Sequence, residues 1–228
     1  RGSDLPLRAD LHRLHLGAMT ELLADEAMVE RLRAPRSEPD RNGTAPDDAD
    51  LTAILEVATT VPDHGSLRPW RFAVVRGPAR DRFGDALVAG LHEQRGSDLP
   101  DAVVAKMHQK AFAAPACVAL IASPDVDANV PVWEQEASAA CTGYAIVLAA
   151  QALGYGAIWK SAATVDAPAV RAFFTLSEHE RLLGWVNLGT PAPPKAPRRT
   201  AVEGPALEDI VTVFDDTGAR PFDPGAAG

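Results

Sequence analysis

The residues best suited to chemistry lie in one polar stretch, Val61-Pro62-Asp63-His64-Gly65-Ser66-Leu67-Arg68-Pro69-Trp70-Arg71-Phe72. It brings together an imidazole, a carboxylate, a hydroxyl and two guanidinium groups. His64 has two readings there: a turn or capping histidine, or a ring that meets a ligand, which requires a partner. Ser66 is nearby, but the chain has no Gly-x-Ser-x-Gly elbow, so a hydrolase nucleophile is not indicated. Cys117 and Cys141 lie in apolar surroundings and are expected to be buried thiols, poor ground for a thiolate nucleophile. Glu134 and Glu136 fall on different helix faces, so they do not make the carboxylate pair of a glycosidase.

Other common chemistries are also disfavoured. Gly154-Tyr155-Gly156 lacks a third glycine and precedes a strand, so no dinucleotide fingerprint is present, and there is no P-loop. His12 and His15 can share a helix face, but no further ligands accompany them and no metal site is expected. Arg33, Arg36 and Arg41 surround a polar loop, either as solvated charges or as partners for a phosphate or carboxylate. With His64 and Trp159-Lys160-Ser161 they form a set that suits a large, planar, anionic cofactor. Guanidinium and hydroxyl groups take phosphate, and tryptophan lines a ring pocket. In a flavin enzyme the cofactor carries the electron chemistry, so no catalytic residue need be visible.

These groups need a scaffold. An apolar stripe of Met19, Leu22, Leu23, Met28, Val29 and Leu32 predicts a helix over 19–34, ended by Pro35. A second helix is expected from Pro46 to about Thr60, with acids in its first turn. The polar stretch follows and runs into a strand, Arg71 to Val75. Helices are predicted over 78–94 and 100–113, then a strand at 116–122 apolar enough to be covered on both faces. The helix over 133–153 carries many alanines and glycines, so it can approach the sheet or a copy of itself closely. Strands at 157–161 and 182–189 flank a short helix at 166–174. This order predicts an α+β domain with strands beneath helices.

Composition agrees with such a domain. The chain has 228 residues and 46% hydrophobic content, enough for a substantial core. Its net charge of −9 argues against nucleic acid as the main partner. No apolar run is long enough for a membrane span, and a cytoplasmic location is the default expectation. Arg1-Gly2-Ser3 reads as non-native leader sequence. The Pro- and Gly-rich segment after 191 carries too little apolar surface to fold alone.

Four segments together resemble the small nitroreductase-like flavoproteins, in their compact bacterial branch with Pro-Asp-His. They are Val61 to Phe72; Trp133-Glu134-Gln135-Glu136 at a central helix start; Gly154-Tyr155-Gly156-Ala157-Ile158-Trp159-Lys160-Ser161; and Leu183 to Pro191. The resemblance covers roughly residues 20 to 191. It implies an α+β fold with a central, mostly antiparallel sheet flanked by helices, in an interlocked homodimer with FMN at each subunit interface. It also implies ping-pong transfer from NADH or NADPH through the flavin to a nitroaromatic, quinone or related acceptor. By position, Arg36, Ser37, His64, Trp159, Lys160 and Ser161 match cofactor-binding residues, and Arg198 or Arg199, with Lys195 nearby, match a basic group that meets the phosphate. Residues 1–18 are then an N-terminal extension, 19–191 the FMN-binding domain and 192–228 a C-terminal extension that embraces the partner.

Three positions depart from the pattern. Pro35 and Thr60 stand where arginines are expected, and Lys160 replaces an arginine. Lysine lacks the bidentate fork of guanidinium. Losing two charged bonds at about 1.5–3 kcal/mol each would weaken FMN by roughly a hundredfold or more unless other cations substitute. Two further readings therefore stand beside the oxidoreductase: a flavin-sequestering protein with little turnover, and a dimer holding another anionic ligand such as a deazaflavin.

Overall fold

The structure is a computed structural model describing residues 26–33, 43–191, 204–216, 218–223 and 225. Contacts divide the chain into two units, residues 36–197 and residues 1–35 with 198–228.

The larger unit is built on one four-stranded sheet. Its strands are β1 (Trp70–Arg76), β2 (Ala116–Ala122), β3 (Gly156–Lys160) and β4 (Arg181–Gly189), in the order β1-β2-β4-β3. Every pair is antiparallel, so the expected mostly antiparallel sheet is wholly so among the described strands. β2 is central and buried along its whole length. Its alternating side chains feed two cores. Cys117, Ala119 and Ile121 join one, with Phe83, Leu87, Val170, Phe174 and Trp185. Val118 and Leu120 join the other, with Ile54, Ile146, Val186 and Leu188. Each fully buried leucine, isoleucine or phenylalanine stabilises the unit by roughly 1.5–3 kcal/mol.

Helices cover both faces, giving three layers. In chain order after α1 (Glu26–Arg33) of the smaller unit come α2 (Asp48–Ala58), α3 (Ala79–Arg95), α4 (Asp101–His108), α5 (Val132–Ala152) and α6 (Pro168–Phe173). α2 is capped by Asp47, whose carboxylate accepts from the Asp50 amide at 2.9 Å; Pro46 immediately precedes this cap. The helix predicted over 100–113 is shorter, because it tightens to a 3₁₀ turn at Gln109–Phe112.

The small residues of α5 do what their size allows. A Cβ on Gly143 would lie 2.5 Å from Leu120 Cδ1 and 2.9 Å from Trp159 Cζ3, so only glycine permits this approach of helix to sheet. The opposite side of α5 leaves Trp133, Ala137, Cys141 and Tyr144 exposed. Their spacing of four, four and three places them on one stripe. Cys141 is therefore exposed, against the expectation of a buried thiol; Cys117 is buried, and burial pushes its thiol pKa up to about 12.

A register shift in β4 near Leu183 sets the end of β3. Gly184 has φ +120°, and a Cβ there would collide with the Lys160 carbonyl. In the smaller unit, α7 (Leu207–Ile210) precedes a hairpin of β5 (Thr212–Asp215) and β6 (Gly218–Pro221). Phe214 on this hairpin is 80% exposed.

Candidate functional site

The polar stretch between α2 and β1 is held in an unusual shape. His64–Ser66 form a single 3₁₀ turn, and Gly65, Ser66 and Arg68 have φ of 77°, 54° and 50°. Left-handed conformations at a serine and an arginine cost about 1–3 kcal/mol each and persist only where surroundings enforce them. The Asp63 carboxylate supplies part of that enforcement by accepting from the Arg68 amide at 2.7 Å. The Ser123 amide donates to the Pro69 carbonyl at 2.9 Å.

α5 supplies the rest. Ser138 Oγ donates to the Pro62 carbonyl at 2.5 Å, and Glu134 Oε1 lies 2.8 Å from His64 Nδ1. Glu134 and Ser138 are one turn apart, so a single helix face grips both ends of Pro62–His64. Glu136 points elsewhere, to Arg181 at 3.5 Å, in agreement with the expected divergence of the two glutamates. The His64 side chain is 67% exposed. Arg68 is also exposed, and its guanidinium has no partner among the described residues.

Arg71 plays a different part. Its guanidinium donates to both Glu180 oxygens, at 2.6 and 2.8 Å, and to the Phe174 and Thr175 carbonyls. Those hydrogen bonds from Arg71 hold the Glu180 carboxyl down at about 2 against the opposing effect of burial, with help from the Ser177 amide. Arg71 is thus committed to joining β1 to the turn before β4.

At the other edge of the sheet, Trp159 packs against α5 and donates through Nε1 to the Leu183 carbonyl at 3.3 Å. Lys160 and Ser161 are exposed, with no side-chain partner among the described residues. Tyr155 is structural: its hydroxyl donates to Asp50 at 2.6 Å, which pushes its pKa up to about 12. Thr60 caps α2 by donating to the Val57 carbonyl at 2.8 Å.

The sheet register relates the two groups. β1 begins, β2 ends and β4 begins at one end of the sheet, since Trp70 pairs with Ala122 and Ala122 with Arg181; β3 runs toward that end but stops at Lys160, level with Trp185, Ala119 and Ala73. The His64 loop and Lys160–Ser161 therefore lie toward the same end of the sheet, with Lys160 set back from it. The first precedes one edge strand, β1, and the second ends the other, β3; the two strands are three strand spacings or about 14 Å apart. One chain does not bring them together. Arg36, Ser37, Lys195, Arg198 and Arg199 lie outside the described residues, as do Pro35, Arg41, His12 and His15.

Three residues were missed in the sequence: Glu134 and Ser138 as holders of the loop, and Glu180 as the partner of Arg71. The i, i+4 spacing of Glu134 and Ser138 was a usable signal of a shared polar face. The pairing of Arg71 with a residue 109 positions away left none.

A model of the nitroreductase family matches residues 42–190. The "Putative NAD(P)H nitroreductase YdjA" of Escherichia coli (strain K12) is 35% identical over 194 residues, covering 85% of this chain and 98% of that protein. A similarly named protein of Haemophilus influenzae (strain ATCC 51907 / DSM 11121 / KW20 / Rd) is 35% identical over 64% of this chain and 78% of its own. Among solved structures, a nitroreductase-like family protein from Bacillus cereus superposes with a TM-score of 0.60 at 21% identity, covering 78% of this chain and 89% of that one. The FMN-dependent nitroreductase NfnB from Mycobacterium smegmatis, solved with NADPH, gives 0.59 at 20% identity over 73% of this chain and 88% of its own.

Proposed function

The chain belongs to the nitroreductase family, and on that premise we propose that it is an FMN-dependent oxidoreductase taking electrons from NADH or NADPH. The acceptors are nitroaromatics, quinones or related compounds, reduced in a ping-pong cycle. Family membership and the NAD(P)H-nitroreductase names of its relatives make it an oxidoreductase; the cofactor, cycle and acceptors are the finer reading.

The observation that carries this reading is the pair of half-sites toward one end of the sheet. Each presents polar groups left open toward solvent: the His64 ring, held by Glu134 through Nδ1 alone, and Arg68 on one side, and Lys160 and Ser161, with no side-chain partner among the described residues, on the other. Their chemistry fits FMN. Lysine and serine suit anionic oxygens, and an imidazole held by a carboxylate suits the polar rim of a ring. Bound FMN supplies the two-electron chemistry. This chain's residues bind and orient it, and the rigid loop keeps His64 at a fixed place beside it.

Separation of the half-sites supports a homodimer in which one copy's loop meets the other's β3 end. The exposed stripe Trp133, Ala137, Cys141 and Tyr144 supports α5 as part of that interface, with Trp133 as much as 69% exposed in the single chain. Residues 192–228 are proposed to embrace the partner, as an extension beyond the 19–191 domain. No described helix is long and apolar enough to cross a membrane; a cytoplasmic location remains part of the proposal.

The test is direct. Protein titrated with FMN should bind it, run as a dimer by light scattering, and oxidise NADH or NADPH in the presence of a quinone or nitro acceptor. Bound FMN that NAD(P)H cannot reduce would replace this reading with flavin sequestration. A monomer would contradict the shared site.

A further inference from the structure

The grip of Glu134 on His64 decides what that ring can recognise. A carboxylate at neutral pH can only accept a hydrogen bond, so the proton in the 2.8 Å Nδ1···Oε1 contact belongs to the imidazole. A neutral imidazole carries one N–H. With that hydrogen committed to Nδ1, Nε2 is left as a bare lone pair. Nε2 has no partner among the described residues, and the ring is exposed. The ring is also set in place, since Ser138 holds Pro62, Asp63 holds the Arg68 amide, and the backbone is left-handed at Ser66 and Arg68.

We propose that Glu134 is a positioning residue that fixes the His64 proton on Nδ1, making Nε2 a hydrogen-bond acceptor, and that the group His64 meets on its ligand is a donor: a ring N–H or a hydroxyl. For the neutral ring an anionic oxygen is not the partner, because two acceptors face to face repel. The ligand part rests on the flavin reading above; the proton placement does not. On a flavin, the candidate donors are the N–H of the ring's pyrimidine edge and the hydroxyls of the ribityl chain. His64 then reads the body of the cofactor, and the phosphate is left to other residues.

Proton placement is read by long-range ¹H–¹⁵N correlation on full-length protein labelled at histidine, at about pH 8, where ordinary imidazoles are neutral. His64 is assigned by comparison with His64→Gln. Wild type should show a protonated Nδ1 and a bare Nε2. Glu134→Gln should keep that pattern, because its amide oxygen still accepts, and Glu134→Ala should lose it. A proton on Nε2 in wild type, or an unchanged pattern in Glu134→Ala, would overturn the assignment.

Ligand recognition is read by titrating FMN, riboflavin and lumiflavin. His64→Ala and Glu134→Ala should each weaken FMN by about three- to tenfold, Glu134→Gln much less, and the double alanine variant no more than His64→Ala. A purely structural Glu134 would add its own loss in the double variant. A His64→Ala loss that persists with lumiflavin assigns the ring N–H; one confined to FMN and riboflavin assigns a ribityl hydroxyl. A loss with FMN alone would put His64 on the phosphate and defeat the donor assignment. If wild type binds none of the three, the flavin reading fails, and the NMR result still decides the role of Glu134.

Discussion

Arg71 and His64 stand seven residues apart and the fold uses them in opposite ways. Arg71 is closed off: two carboxylate oxygens and two carbonyls take its donors, and Glu180 is further filled by the Ser177 amide. His64 is held by one nitrogen only and shows the other to solvent. Saturated hydrogen bonding makes a fastening, and a fastening has nothing left with which to recognise a ligand. A polar group tied at one end and open at the other is preorganised for binding. The same contrast separates Tyr155, spent on Asp50, from Lys160 and Ser161 a few residues later.

The largest expected break comes from Arg71→Ala. It strands the Glu180 carboxylate in a site where that side chain is only 10% exposed. A loss of about 3–5 kcal/mol is expected in urea unfolding, with flavin affinity of the folded protein little changed. An unaltered midpoint would mean that Arg71 is not a fastening.

Acid should act on the same pair. The folded Glu180 carboxyl lies at about 2, below its ordinary 4.5. Its contribution is therefore complete above about pH 5 and is lost as pH falls toward 2, amounting to roughly 3 kcal/mol. Thermal melts taken down the acid range should show a flatter decline in Glu180→Gln than in wild type.

Lys160→Ala should lower FMN affinity about tenfold while leaving stability within roughly 0.5 kcal/mol of wild type, and Lys160→Arg should bind more tightly than wild type. Ser138→Ala removes one of the two α5 contacts to the loop, worth about 1 kcal/mol. Faster amide exchange over residues 63–68 is the expected sign. His64→Ala should barely move stability, by no more than about 0.5 kcal/mol.

Much of this arrangement was legible in the sequence where a local pattern caused it. The apolar run 116–122 is β2 with the predicted ends, because a strand covered on both faces must be apolar throughout. The alanines and glycines of α5 announced a close approach, and Gly143 makes it against Leu120 and Trp159. The polar turn at His64 between a helix and β1 is legible in its own composition. Strand order was not legible, nor the shift near Leu183, because both arise from pairing between distant segments. The partners of His64 and Arg71 lie 70 and 109 residues away, so the difference between an open and a saturated side chain had no local trace. Cys141 misled for a related reason: alanine-rich surroundings resemble a core even where the helix turns that face outward.

In the proposed homodimer the half-sites at opposite sheet edges are completed by a second copy of the chain. Mixing tests it directly. His64→Ala and Lys160→Ala proteins, each with weakened FMN binding, are dissociated together, reassociated and titrated with FMN. If each site takes its loop from one copy and its β3 end from the other, about a quarter of the sites in a statistical mixture are intact, and a wild-type-affinity phase should appear in that proportion. A titration equal to the sum of the two parents, with no such phase, would show that His64 and Lys160 do not serve one site across two chains.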